Sequence, residues 1–153
     1  MRHNNLIIFG ISKVRIYFWV FLLLTLSGCN KMDTGNPFSG QWQLLEWIDT
    51  TGLIKATNQS QIYYSFQLGL VSFQQVRGQS VYSLHARYEG MSNQLHISQP
   101  FRYAGNGHDE ILPMSVLAEF AVPTDGILEI VECTSSRMCL KSDEMGTLIL
   151  RKY

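Results

Sequence analysis

The chain has 153 residues, 46% of them hydrophobic, with 12 basic and 12 acidic side chains. That is enough for one domain with its own core. Residues 29–153 carry nine basic and twelve acidic side chains. A weakly acidic chain of this kind has no basic face to neutralise phosphate, which excludes nucleic acid as a partner, and no polybasic run for anionic lipid.

Lys13 and Arg15 stand before an apolar run over residues 16–26, and Leu26-Ser27-Gly28-Cys29 follows it. A basic segment, an apolar stretch and small residues at a cleavage point make a secretory signal. The run is shorter than the roughly 20 residues of a spanning helix, so it is not a permanent anchor. A cysteine directly after the small residues resembles the lipobox of a bacterial lipoprotein. That implies cleavage before Cys29, acylation of Cys29, and membrane attachment through its acyl chains. The alternative is an ordinary signal with an incidental cysteine. Residues 1–28 are thus expected to be signal peptide and residues 29–37, polar with Gly35 and Pro37, a lipidated terminus and tether. Residues 38–153 are expected to form the domain.

That domain reads as strands. Residues 40–48 alternate, with a slip at Leu44-Leu45 that fits a bulge, and Asp49 to Gly52 reads as a turn. Residues 61–76 read as two strands joined at a bulge near Gly69, or one bent strand. Residues 81–88 and 94–98 form a hairpin with Leu84, Ala86, Tyr88, Leu95 and Ile97 on one face and His85, Arg87 and His96 on the other. Residues 100–113 read as loop, and residues 114–120 as a helical turn or a further strand. Three short strands close the chain, around Leu128 and Ile130, Met138 and Leu140, and Leu148 and Leu150. Many short strands in consecutive hairpins predict an all-β antiparallel, up-and-down barrel.

With Cys29 lipidated, Cys133 and Cys139 remain. In an exported chain an even number of cysteines points to a disulfide. A turn centred on Ser136 places Cys133 opposite Cys139, where a small bridge is feasible. Two free thiols remain the alternative if the register differs.

Phe38-Ser39-Gly40-Gln41-Trp42-Gln43-Leu44, Ile62-Tyr63-Tyr64-Ser65-Phe66-Gln67-Leu68, and the closing blocks over residues 136–143 and 148–153 resemble lipocalin-like lipoproteins of Bacteroidetes-type bacteria. With the lipobox, the resemblance spans nearly the whole chain. It implies a small lipocalin- or calycin-like barrel of about eight strands, secreted and membrane-tethered, in a family without an established activity. It also bears on location. Some lipoproteins of that type use an acidic stretch after the acylated cysteine for export to the surface. Here Asp33 is the one acid in the tether, which leans toward an outer-membrane anchor facing the periplasm.

The aromatic side chains have two readings. They fill a packed core, or they line a cavity with Trp42, Phe66, Leu84 and Tyr88 as its wall and Tyr64 at its mouth. Gly107-His108-Asp109-Glu110 reads as a solvated loop. His85 and His96 lack a third ligand for zinc, so no metal site and no cofactor is expected. Glu129 and Glu132 fall on opposite strand faces and make no acid–base pair. No catalytic motif is present, so an enzyme is not expected. The reading is a membrane-anchored binding module that holds a small apolar ligand or an envelope component in or on the barrel. A protein-interaction or hydrolase-inhibitor module with a filled barrel is the alternative.

Overall fold

Alternating apolar and polar residues build ten antiparallel strands in the computed structural model, which describes residues 36–105 and 107–153. They are β1 (Gly40–Ile48), β2 (Ile54–Thr57), β3 (Ile62–Gln67), β4 (Leu70–Arg77), β5 (Ser80–Met91), β6 (Gln94–Tyr103), β7 (Asp109–Ile111), β8 (Ile127–Cys133), β9 (Arg137–Ser142) and β10 (Gly146–Lys152). Eight of them close a ring in the order β1-β3-β4-β5-β6-β8-β9-β10, with β10 pairing back to β1. The expected all-β barrel is therefore present. Short strands β2 and β7 lie outside the ring, on β1 and β6. Closure leaves the eight ring strands without a free edge.

The inward positions meet across the ladders around the whole ring. Trp42 stands opposite Tyr64, Tyr64 opposite Phe73, and Phe73 opposite Leu84. Tyr88 meets Ile97, and Leu95 meets Leu128. Leu140 meets Leu148, and Leu150 meets both Met138 and Leu44. All are buried. Burial of such side chains stabilises by roughly 1.5–3 kcal/mol each before chain entropy is counted, so this belt is the main source of the fold.

Two sequence readings change in detail, at Gly69 and over residues 100–113. The bulge at Leu44–Glu46 is present against β10. Near Gly69, however, the chain makes a two-residue hairpin: Gln67 pairs with Leu70, and Leu68 (φ +51°) and Gly69 (φ +77°) are both left-handed. Leu68 and Leu70 lie at this tip and are exposed. The segment read as loop over 100–113 holds the end of β6 and all of β7. Residues Met114–Phe120 form a 3-10 helix, one of the two forms expected.

The expected Cys133–Cys139 bridge is corrected. A register shift between Ile130 and Glu132 places Cys139 opposite Glu132 and Cys133 opposite the buried Met138. Neighbouring strand residues point to opposite faces, so the two thiols diverge and both are free. The same shift places Glu129 and Glu132 opposite Lys141 and Cys139, on one outer face, where opposite faces were expected.

Candidate functional site

The barrel has two ends of different build. At the amino end the chain arrives at Asn36 and Phe38 covers the opening. The Phe38 ring lies 6.0 Å from Phe66 and 6.3 Å from Tyr88. Gly90 makes room for it, since a Cβ there would stand 2.6 Å from the ring. Trp42 Nε1 donates to the Phe38 carbonyl at 2.7 Å. Lys152 Nζ donates to the Ser39 carbonyl and sits 4.8 Å above the Trp42 ring. These contacts fasten the arriving chain to the last residues of β10 and hold the ring shut.

At the far end the stretch between β7 and β8 folds back over the opening. Leu117, Phe120, Ala121 and Val122 are buried there. Phe120 reaches Phe73 at 5.3 Å and stacks on Tyr82 at 6.1 Å between ring centres. Polar links tie the plug to the barrel along its length: the Thr124 amide and hydroxyl each donate to Glu144 at 2.8 Å, and the Ile97 amide donates to the Gly126 carbonyl at 2.8 Å. Tyr64 donates its hydroxyl to the Phe120 carbonyl at 2.8 Å, Arg77 pairs with Glu119 at 2.7 Å, and the Leu112 amide donates to the Pro100 carbonyl at 2.8 Å. Ala121 turns the chain back in the left-handed region, at φ +54°.

The five residues expected to line a cavity come together inside the barrel. Trp42, Tyr64, Phe66, Leu84 and Tyr88 are all buried there and belong to the core. Phe66 meets Tyr88 at 5.0 Å, and Tyr64 meets Phe73 at 5.4 Å. With Phe38 at one end and Phe120 at the other, aromatic rings run through the interior. Tyr64 is not at a mouth as expected, because the plug covers it. Burial holds its hydroxyl proton well above the ordinary range. Burial, and then the nearby Glu119 carboxylate, also raise Tyr82.

Sequence reading missed Phe38, Leu117, Phe120 and Lys152. Phe38 precedes the first strand, Leu117 and Phe120 sit in a 3-10 turn without strand alternation, and Lys152 reads as an ordinary terminal charge.

Space is found outside the barrel. A polar groove of about 410 Å³ runs between Asn93, Gln94, Asp125, Glu129, Lys141 and Glu144. A smaller hollow of about 270 Å³ lies beside Phe38, Gly90, Met91 and Ile130 at the amino end. Among the described residues no three His, Cys, Asp or Glu side chains gather as a metal site. His85 stacks on Phe101, and Glu110 pairs with Arg102 at 2.7 Å.

A closed eight-stranded antiparallel barrel with an aromatic interior places the protein among the small lipocalin-type barrels. The chain belongs to the lipocalin-like domain family, whose model matches residues 23–153. Two solved structures are similar. One, a lipocalin-like protein from Bacteroides uniformis, is 21% identical with a TM-score of 0.57, covering 77% of this chain and 100% of that one. The other, an uncharacterized protein from Bacteroides eggerthii, is 24% identical with a TM-score of 0.57, covering 76% of this chain and 99% of that one. At these identities the likeness concerns the fold. No curated protein matches the chain.

Proposed function

We propose that this protein is an envelope lipoprotein, anchored through Cys29, that binds a small apolar ligand at the plugged end of its barrel. The plug carries this reading. Leu117 and Phe120 occupy ligand-like positions within an apolar interior, on a 3-10 turn that takes no part in the strand pairings of the ring. If they withdraw, Tyr64, Phe73 and Tyr82 become the walls of an apolar site. The Tyr64 hydroxyl, freed from the Phe120 carbonyl, is then a hydrogen-bond donor for one polar atom of the ligand. A fold of this family supports ligand binding as a class, and the chemistry of the interior selects apolar molecules over charged ones. The anchor on Cys29 and its periplasmic side rest on the signal, the lipobox and the near-absence of acid in the tether.

One observation favours a second reading. The interior is filled in this conformation, and the larger groove is polar and lies on the outer face. A module that meets an envelope protein with its outside would need no cavity.

Native mass spectrometry of the protein extracted from its own host's envelope separates the two. An apolar small molecule retained on the barrel supports ligand binding. A bare barrel that co-purifies with one stoichiometric protein partner supports the second reading and contradicts the first.

A further inference from the structure

The inward rows of the barrel change character at the plugged end. On β4 the buried Val71 and Phe73 face inward, and the same period of two puts Gln75 and Arg77 next in that row. On β5 the buried Leu84 and Ala86 face inward, and Tyr82 precedes them opposite Gln75. On β6 the buried Pro100 begins the row that ends at Arg102. The apolar interior therefore opens onto a mouth whose inner face carries two guanidinium groups, a phenol and an amide.

Each guanidinium meets a carboxylate, and the two carboxylates come from different places. Glu110 reaches Arg102 at 2.7 Å from β7, which its ladder holds against β6. Glu119 reaches Arg77 at 2.7 Å from the plug itself, beside Phe120. Arg77 is steadied for that contact. Its Nε donates to Gln75 Oε1 at 2.7 Å, and its guanidinium lies 5.2 Å from the centre of the Tyr82 ring. Tyr82 stacks on Phe120, and its phenol lies beside the Glu119 carboxylate. Leu117, Glu119 and Phe120 thus present the barrel with apolar groups inside and one carboxylate at the rim, which is the pattern of an amphiphile. A neutral ligand that displaced the plug would leave Arg77 without its partner. A ligand with a carboxylate head replaces that partner.

We infer that the ligand of this barrel is an amphiphile with an apolar chain and one carboxylate, and that Arg77, with Gln75 and Tyr82 beside it, receives the carboxylate for which Glu119 now stands in. The inference rests on the apolar-ligand reading above and adds the head group to it. The chain takes the place of Leu117 and Phe120. The carboxylate stays at the half-exposed rim, where it keeps part of its hydration and no charge enters the core.

The test compares decanoate, which is ionised at neutral pH, with decanol, which has the same chain length and no charge. Each is titrated against the purified protein loaded with N-phenyl-1-naphthylamine, an uncharged apolar dye, and release of the dye is read from its fluorescence. We expect the parent protein to release the dye at a lower concentration of decanoate than of decanol. Arg77→Gln should raise the decanoate concentration needed by about tenfold and should not raise that of decanol. Release by decanol at the same or a lower concentration in the parent, or an equal change for both ligands in Arg77→Gln, overturns the inference. Uptake of the dye separates the two levels. A folded parent that takes up no dye removes the apolar-ligand reading and this inference with it, whereas dye uptake without a preference for decanoate removes the inference alone.

Discussion

Tyr64 joins the barrel wall to its plug through one buried hydrogen bond. Replacing it with Phe keeps the ring contacts and leaves the Phe120 carbonyl without its donor, which costs about 1–3 kcal/mol. Urea unfolding at neutral pH should show that loss as a lower midpoint with an unchanged slope. The hydroxyl also sets an alkaline limit. Its proton is held in the folded state above the ordinary value of 10.0. Its contribution is therefore full below pH 10.0 and declines as pH rises beyond it, because the unfolded chain then loses the proton first. The Tyr64→Phe protein should lose less stability than the parent across that range. Asp49 acts at the other end of the scale. It accepts from the Thr51 hydroxyl and from the Thr51 and Leu53 amides, chiefly the Thr51 side chain, and is held down to about 2 from 3.8. Its contribution is present above pH 3.8 and falls away as pH drops toward 2. Asp49→Asn should flatten the acid limb of the melting-temperature profile.

The elements show how far a pattern of alternation reaches. Strand positions such as Trp42, Leu84, Tyr88, Leu95 and Ile97 were legible because a period of two separates an inner from an outer face. The bulge in β1 was legible because Leu44-Leu45 breaks that period. The shift in β8 was not. Ile130-Val131-Glu132 admits either parity, and only the pairing with β9 decides it. That one residue moved Cys133 toward the core and removed the expected bridge. Alkylation of the unfolded, unreduced protein should add two labels to residues 30–153, at Cys133 and Cys139. A mass lighter by two protons with no label added would contradict the register. In the folded protein labelling should be slow at neutral pH, since burial raises both thiols above 9.0 and disfavours the thiolate. The candidate site was legible only in its walls. Its two plugs come from residues with no periodic pattern, and their role emerges once the ring exists for them to cover.

Over the described residues the domain is a filled barrel with one end fastened and the other closed by a short covering segment. The amino end is held by Trp42, Lys152 and Phe38 within the barrel's own ladder. The far end is held by side chains of a 3-10 turn, so opening there need not break the ring pairings. Local opening of this kind is the usual source of binding in a closed structure, provided that the ligand favours the open state. Glu119→Gln removes an exposed ion pair, worth at most about 1 kcal/mol, and loosens the plug gently. Phe120→Ala removes the plug's largest side chain at a cost of about 3–5 kcal/mol. The most direct measurement is a fluorescence titration of the parent, Glu119→Gln and Phe120→Ala proteins with N-phenyl-1-naphthylamine, an uncharged apolar dye. We expect saturable binding by the parent that tightens in Glu119→Gln and further in Phe120→Ala, in step with the loosening of the plug. No saturable binding by any of the three folded proteins would contradict it and leave the outer face as the place where this barrel meets its partner.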